Sequence, residues 1–252
     1  MIEVRHIHKS FGSHKILDDV SFRIDKGESV VIIGRSGGGK SVLLKHLIGL
    51  LKPDSGEILI DGENIVPMDD RELLRVSHKF GMLFQSAALF DSMTVAENVA
   101  FALRRETSLT GDQIAFKVAE VLDMVELPGT ENKDPAELSG GMRKRVGLAR
   151  AIIYQPQIIL YDEPTTGLDP IVSDSIDKLI LRVRDRVDAT TVVVTHDMRS
   201  ARRIGQRILM LHDQTIYASG TADEIFESKD PIIRQFIDGI SDPANQPIQV
   251  QS

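Results

Sequence analysis

The spacing of apolar residues along the chain shifts from the two-residue period of strands to the three- and four-residue period of helices. Apolar and polar positions alternate over residues 2–7 and 16–24, which predicts two strands near the start. Residues 29–33 form a short β-branched apolar run that predicts a buried strand, and residues 40–51 carry Leu and Ile at helical spacing. The first part of the chain is therefore expected to run from strands into a helix.

The rest of the chain divides into a helical stretch and an alternation of strands with helices. Residues 66–134 are mostly helical by pattern, and Thr94 with Glu97 has the spacing of a capping box. Further along, we expect a helix over 142–154 and strands over 158–161, 190–194, 207–212 and 215–219. Strands that alternate with helices favour a mostly parallel sheet covered by helices on both faces.

The composition is that of a folded globular protein. Of 252 residues, 42% are apolar and 27% are charged, a balance that excludes a disordered chain. The net charge of −7 gives no sign of the basic surface typical of a nucleic-acid-binding domain, so we expect no nucleic acid partner. The chain has no cysteine, which excludes disulfides and thiolate metal sites. We expect no secretory signal, and no apolar run approaches the roughly 20 residues that span a bilayer.

A glycine-rich segment, GRSGGGKS, occupies residues 34–41 between the predicted strand and the predicted helix. It fits the phosphate-binding pattern G-x-x-x-x-G-K-[ST], in which backbone N–H groups and a helix N-terminus face the phosphates. In such a loop Lys40 reaches the β- and γ-phosphates and Ser41 binds Mg²⁺. ATP and Mg²⁺ are therefore the expected cofactors. The expected contacts are Gly34, Arg35, Ser36, Gly37, Gly38, Gly39, Lys40, Ser41 and Val42.

Two acids follow the predicted strand over residues 158–161. Asp162 is expected to hold Mg²⁺ through water, and Glu163 to orient and deprotonate the attacking water. Alone, the two acids would equally suit a solvated turn, but together with the glycine-rich loop they indicate a hydrolytic site. His196 ends another predicted strand, at the sheet edge where phosphates are expected.

A second helix start also has the character of an anion site. Ser139 suits an N-cap, and Gly140 and Gly141 would expose backbone N–H groups at the start of the helix over 142–154. One ATP needs a single cradle from its own chain, so the second cradle suggests a two-fold pair in which each copy completes the other's site. The alternative is an ordinary capped helix. The basic residues of this helix are expected at its polar positions: Arg143, Lys144, Arg145 and Arg150.

The glycine-rich loop and the LSGGM segment, residues 138–142, together resemble the ATP-hydrolysing subunits of ABC transporters over nearly the whole chain. The resemblance implies an α/β P-loop NTPase (ABC ATPase) fold with a mostly parallel core sheet and an N-terminal antiparallel β subdomain. A helical subdomain would be inserted at about 86–156. The ABC ATPase domain would span 1–222 and a C-terminal extension 223–252, with the last ten or so residues frayed.

The same resemblance implies roles for residues that spacing alone does not identify. Gln85 would sense Mg²⁺ and water, and His196 would contact the γ-phosphate and position the catalytic base. Phe11 would stack on the adenine, where the family more often has Tyr; a core role is the alternative for this side chain. Asp169 matches the loop that crosses the interface between two copies.

Met142, at a position where most ABC signatures have Gln, points to one branch of the family. With KSVLLKHLIGLLKPDSGEI and ALFDSMTVAENVAF, it is similar to the ATPase subunits of the Mla and MCE phospholipid transporters. That resemblance implies a motor that moves phospholipids between the inner and outer membranes of Gram-negative bacteria, for the maintenance of outer-membrane lipid asymmetry. The alternatives are an ABC ATPase for another solute, or a soluble one acting on nucleic acid or the ribosome.

The partners implied by this branch are a second copy of the chain, an MlaE-like membrane permease, an MlaD-like MCE protein and an MlaB-like STAS protein. The chain would lie on the cytoplasmic face of the inner membrane, held there by the permease. The segment over 223–239 is also similar to the branch, and its apolar residues lead us to expect that Pro231–Ile240 docks on a protein surface.

Overall fold

A computed structural model describes residues 1–106 and 108–240. The prediction that the last ten or so residues fray concerns positions outside this range. Two sheets carry the described fold, and helices pack around them. None of the helices in the described ranges is both long and apolar enough to cross a membrane.

The N-terminal sheet is antiparallel. β1 (Ile2–Phe11) forms a hairpin with β2 (His14–Ile24) and pairs on its other side with β4 (Ser55–Ile60), which pairs in turn with the short β5 (Glu63–Asn64). The alternating apolar residues predicted from the sequence face inward in β1 and β2. Those that are fully covered are Ile2, Val4, Ile7, Leu17, Val20 and Ile24.

The central sheet has the strand order β10-β9-β3-β8-β7-β6, and its neighbouring strands are parallel except for β10 against β9. Parallel strands direct their carboxyl ends to one edge, so β3, β7 and β8 all end beside each other. The strands are β3 (Ser29–Gly34), β6 (Phe80–Leu83), β7 (Ile158–Asp162), β8 (Thr190–Thr195), β9 (Arg207–His212) and β10 (Thr215–Thr221). The predicted α/β fold, with a mostly parallel sheet and an N-terminal antiparallel sheet, is confirmed.

Helices cover both faces of the central sheet. Along β3, Val30 and Ile32 join the apolar cluster shared with the N-terminal sheet, whereas Val31 and Ile33 join the cluster of the helical side. This alternation makes β3 apolar from Val30 to Ile33, as expected of a strand buried on both faces. The helices are α1 (Lys40–Leu47), α2 (Asp70–Ser77), α3 (Val95–Glu106), α4 (Gly111–Met124), α5 (Gly140–Ile152), α6 (Pro170–Val187), α7 (Met198–Ile204), α8 (Ala222–Phe226) and α9 (Pro231–Asp238).

Two secondary-structure predictions are wrong in part. The mostly helical stretch over 66–134 contains β6, because a four-residue apolar run does not distinguish a strand from a helix and parallel pairing with β7 decides. α1 ends at Leu47 rather than at residue 51. The buried ring of His46 donates from Nδ1 to the carbonyl oxygen of Leu51 (2.6 Å), which closes a turn after the helix.

The helix α9, within the segment expected to dock on a protein surface, packs on its own chain. Ile233 is buried, and three neighbouring apolar side chains of α9 contact the cluster of the helical side. The guanidinium of Arg234 donates to the carbonyl oxygen of Phe226 (3.0 Å) and so ties α9 to α8. Asp230 caps the helix by accepting from the N–H groups of Ile232 and Ile233.

Candidate active site

The glycine-rich loop lies between the end of β3 and the start of α1, at the carboxyl edge of the central sheet. Gly39 has a φ of 95°, a conformation that side chains disfavour. A Cβ on Gly34 would stand 2.5 Å from the carbonyl oxygen of Leu211. The loop therefore requires glycine for its shape, and it leaves backbone N–H groups open to a phosphate at a helix N-terminus.

Lys40 projects into this loop from the first position of α1. Its ammonium donates to the carbonyl oxygens of Gly34 (2.8 Å) and Arg35 (3.0 Å) and lies 3.6 Å from Glu163 Oε1. Burial lowers the pKa of the lysine, and the charge of Glu163 opposes this shift. A covered cation at the head of a phosphate loop suits the β- and γ-phosphates of a nucleotide.

Ser41 and Asp162, 121 residues apart in sequence, meet beside Lys40. The hydroxyl of Ser41 donates to Asp162 Oδ1 over 2.7 Å. Burial raises the pKa of the Asp162 carboxyl, while the hydrogen bond from Ser41 lowers it. A hydroxyl and a carboxylate are hard oxygen donors of the type Mg²⁺ selects, so the residues present fit that ion.

Glu163 is held from one side by three donors. His196 lies next to the carboxylate, with Nδ1 2.8 Å from Oε2, and its backbone N–H donates to the same oxygen (3.4 Å). The hydroxyl of Thr166 also donates to Oε2 (3.1 Å). This arrangement leaves Oε1 facing the ammonium of Lys40. A carboxylate fixed in this way can accept a proton at one chosen oxygen.

A cleft of about 340 Å³ joins these groups. Its lining comprises Ile16, Ser36, Gly37, Gly39, Lys40, Ser41, Val42, Gln85, Glu163, Thr166 and His196. Gly34, Arg35, Gly38 and Asp162 adjoin it through the glycine-rich loop and the bond to Ser41. Phe11 stands in the β1–β2 hairpin with half of its surface exposed, and the ammonium of Lys9 lies 5.4 Å from its ring centroid.

The other predicted site residues lie outside this cleft. Ser139 caps α5 by accepting from the N–H of Met142 (3.3 Å), and Asp169 caps α6 by accepting from Ile171 (2.9 Å) and Val172 (3.0 Å). The side chains of Ser139 and Asp169 are exposed. The lining given above includes none of Ser139, Gly140, Gly141 and Asp169.

Three residues at the site were missed by sequence reasoning. Thr166 carries no motif signal of its own. Lys144 and Arg150 were expected at polar positions of α5, but both side chains turn inward. The ammonium of Lys144 donates to the carbonyl oxygens of Gln85 (2.5 Å) and Glu163 (3.1 Å). Gln85 lies in the loop that follows β6. The guanidinium of Arg150 donates further along the same loop, to the carbonyl oxygens of Ala87 and Ala88.

One sequence signal did point to Lys144. It precedes Leu148 by four residues, which places both on the same helix face, and Leu148 is apolar and buried.

Comparison with known proteins shows one family. The family model described as ABC transporter matches residues 17–166. The chain is 46% identical to the probable ribonucleotide transport ATP-binding protein mkl of Mycobacterium leprae, over 94% of this chain and 69% of that protein. It is 40% identical to the intermembrane phospholipid transport system ATP-binding protein MlaF of Escherichia coli, over 96% of this chain and 90% of that protein. It is 43% identical to protein TRIGALACTOSYLDIACYLGLYCEROL 3 of Arabidopsis thaliana, over 96% of this chain and 74% of that protein.

Solved structures agree. The dimeric post-hydrolysis state of the ATP-binding cassette MJ0796, bound to ADP and Pi, matches with a TM-score of 0.81 and 34% identity, over 88% of this chain and 99% of that one. The cbiO1 protein of Clostridium perfringens, part of the transporter complex cbiONQ, matches with a TM-score of 0.83 and 27% identity, over 93% of each chain.

Proposed function

Because the chain belongs to the ABC transporter family and is an ATP-hydrolysing enzyme, we propose that it is the motor subunit of a phospholipid transporter. The observation that carries its chemistry is the Glu163 carboxylate, held by His196 and Thr166 beside Lys40. The cargo is supported by the relative MlaF, named for intermembrane phospholipid transport, which this chain matches over 96% of its length.

The phosphates of ATP are bound by residues 34–42, with Lys40 covering the negative charge. Ser41 and Asp162 hold Mg²⁺, and Gln85, which lines the same cleft, completes its surroundings. When bound there, Mg²⁺ would supply positive charge against the negative charge of the phosphates. Phe11 offers a half-exposed ring on which the adenine stacks.

Glu163 acts as general base. Its Oε2 is engaged by His196 and Thr166, so Oε1 takes the proton of the attacking water. His196 has half of its side chain exposed at the cleft, where it reaches the γ-phosphate while its Nδ1 side orients the carboxylate. The two residues therefore act as one unit that senses the phosphate and activates the water.

A second copy completes the site. Ser139, Gly140, Gly141 and Asp169 do not line the cleft of their own chain, and Ser139 and Asp169 are exposed. The related cassette MJ0796 forms a dimer. In the proposed pair, the α5 N-terminus of one copy faces the γ-phosphate bound to the other, and Asp169 crosses the same interface. Loss of the γ-phosphate then releases the pair.

The chain works on a membrane through partners. We propose that these partners are an MlaE-like permease, an MlaD-like MCE protein and an MlaB-like STAS protein, with this chain on the cytoplasmic face of the inner membrane.

We also propose a division of the chain into two parts. The ABC ATPase domain is residues 1–222, with the helical subdomain at about 86–156, and residues 223–252 form the C-terminal extension.

The test is purification of a tagged chain carrying Glu163→Gln from detergent-solubilised membranes, with ATP and Mg²⁺ present. The amide cannot accept the proton, so kcat should fall about 100- to 10,000-fold while ATP binding is retained. Proteomics and lipid extraction on the eluate should recover an MlaE-like permease, an MCE protein and phospholipid. Lys40→Ala, which should lose ATP binding, is the control for nucleotide dependence.

Three results would contradict parts of the proposal. Parental turnover by Glu163→Gln would remove this residue from the role of base. Recovery of a permease for another solute would keep the ATPase and overturn the cargo; ribonucleotide is the solute in the name of the mycobacterial relative. Recovery of no membrane protein would overturn the transporter itself.

A further inference from the structure

The helix α5 lies unusually close to the strand that leads into Gln85. A Cβ on Gly81 of β6 would overlap the carbonyl oxygen of Ala151 in α5. A Cβ on Gly147 of α5 would stand 2.8 Å from Leu83 Cδ1, at the end of the same strand. Glycine on both elements therefore brings the helix against the strand. This approach lets a side chain one turn before Gly147 reach the loop after β6.

That side chain is Lys144, and it is almost completely covered, with 5% of its surface exposed. Its ammonium joins two main-chain carbonyl oxygens that follow neighbouring strands, that of Gln85 after β6 and that of Glu163 after β7. Burial lowers the pKa of Lys144, while the charges of Asp162 and Glu163 raise it and so favour the ammonium form. Lys144 therefore connects α5, the helix that Ser139 caps, with Gln85 and Glu163, which are both proposed to act in catalysis.

The backbone of Glu163 has a conformation that contacts of this kind hold in place. Its φ is 48°, in the left-handed region, which a residue with a side chain occupies only when its surroundings hold it there. Its N–H donates to the carbonyl oxygen of Val194 (2.9 Å), and its own carbonyl oxygen accepts from the N–H of Thr166 (3.3 Å) and from the ammonium of Lys144 (3.1 Å). The peptide groups on both sides of Glu163 are thus held by hydrogen bonds. Their fixed positions set the orientation of the Glu163 side chain.

We propose that Lys144 is a positioning residue for ATP hydrolysis, which sets the Glu163 carboxylate and the Gln85 loop relative to each other from the helix that faces the second copy. The proposal rests on the role of Glu163 as base. Lys144 does not line the nucleotide cleft, and it acts through the main chain of two residues that do. A shift of the base by about 1 Å is enough to slow a reaction about 100-fold.

The neighbouring Arg145 provides a matched control. It lies on the same helix, it is largely covered, and its guanidinium also donates to a main-chain carbonyl, that of Val125 (2.8 Å). Its other partners are Glu126 and Ser175, away from the cleft. Arg145→Met and Lys144→Met both remove a covered cation from α5, but only Lys144→Met removes a donor from the carbonyl oxygens of Gln85 and Glu163.

The experiment compares kcat, the KM for ATP, equilibrium ATP binding and unfolding by urea for the parent and both variants. Lys144→Met should lower kcat about 10- to 100-fold with ATP binding changed less than about threefold. Arg145→Met should lose stability with kcat within about twofold of the parent. Lys144→Arg should recover most of the lost kcat, and the milder Lys144→Gln should fall between parent and Lys144→Met.

Combination with Glu163→Gln separates this inference from the proposed function. If Lys144 acts through Glu163, adding Lys144→Met to Glu163→Gln should lower kcat by much less than it does alone. An equal loss in both backgrounds, or a parental kcat for Lys144→Met, would overturn the positioning role. Failure of Glu163→Gln to slow hydrolysis would instead overturn the base.

Discussion

At the scale of single residues, the site depends on which oxygen of each acid is already engaged. Asp162 is engaged by Ser41 and Glu163 by His196 and Thr166. Each contact restricts the geometry of the carboxylate that it engages, and in Glu163 it leaves Oε1 facing the ammonium of Lys40. Such preorganisation is a large part of how enzymes stabilise a transition state.

Substitution of Phe11 distinguishes a role in stacking on the adenine from a role in the hydrophobic core. Half of the ring is exposed, so Phe11→Ala should leave stability within about 1 kcal/mol of the parent. Loss of the aromatic face should weaken ATP binding about 2- to 12-fold, whereas Phe11→Tyr should bind like the parent. Titration with a fluorescent ATP analogue and urea unfolding measure both quantities. A large loss of stability with unchanged binding would favour the core role.

Asp177 is a buried acid beside a second cavity of about 510 Å³, which adjoins the nucleotide cleft at Thr166 and His196. Burial raises its pKa from 3.8 to about 6, and the charges of Asp197 and Asp174 add to the shift. The hydroxyl of Ser200, 2.9 Å from Oδ2, and the guanidinium of Arg203 oppose it.

The sign of this shift predicts a pH dependence. Because the folded-state pKa exceeds the unfolded value, ionisation of Asp177 costs the folded state more, and its contribution to stability falls as pH rises from about 4 to 6. Asp177→Asn removes this penalty. Its stability relative to the parent should therefore improve by about 2 to 3 kcal/mol between pH 4 and pH 7, measured by urea unfolding across that range.

Asp174, on the same helix, is the control of opposite sign. Hydrogen bonds from Lys178 and Arg203 lower its pKa, so Asp174→Asn should lose stability relative to the parent as pH rises. The same trend in Asp174→Asn and Asp177→Asn would contradict the assignment of the shift to burial of Asp177.

At the scale of elements, close approach between helix and sheet decides what each side chain can reach. α5 packs against β6 through Gly147 and Gly81, and two of its cations, Lys144 and Arg150, consequently hold the loop after β6. α9 shows the same dependence at the other end of the chain. Its apolar face gains a partner only because α8 and the helical-side cluster lie beneath it.

The docking of α9 can be measured by cavity formation. Ile233→Ala removes a buried side chain and should lower the free energy of unfolding by about 2 to 4 kcal/mol. Ile240→Ala removes a side chain that is 61% exposed and should change it by less than about 0.5 kcal/mol. Urea unfolding monitored by circular dichroism gives both values. Equal effects of the two substitutions would mean that α9 is not packed in solution.

At the scale of the whole molecule, one chain keeps apart two features that we propose for a single ATP site. The N-cap of α5, Ser139, is exposed and is not part of the lining of the nucleotide cleft. A chain that binds ATP alone and hydrolyses it only in a pair would link hydrolysis to motion, because each round brings the two copies together and releases them.

ATP-dependent pairing should therefore require Ser139 of the partner copy. Glu163→Gln with ATP and Mg²⁺ should elute as a dimer in size-exclusion chromatography with light scattering. Adding Ser139→Arg should leave a monomer that still binds ATP with parental affinity, because Ser139 does not line its own cleft. Ser77→Arg, at an exposed serine that ends α2, is the control and should still pair. Loss of ATP binding by the Ser139→Arg monomer would place the motif in its own site.

The sequence alone determined two parts of the site: the residues that are contiguous in sequence, and the residues that end parallel strands of one sheet. A strand, a glycine-rich loop and a helix in succession defined Lys40 and Ser41 locally. The rule that parallel strands end at one edge predicted that Asp162 and His196 would lie nearby, and the structure places Asp162 Oδ1 2.7 Å from Ser41 Oγ.

Only the tertiary structure decided the rest. The strand β6, the third donor Thr166 and the inward turn of Lys144 depend on what lies across from each residue. Four apolar residues suit a helix or a strand until a neighbouring strand pairs with them. A lysine lies in water or in the core according to how near another element comes, and that distance is set by glycines on two elements distant in sequence.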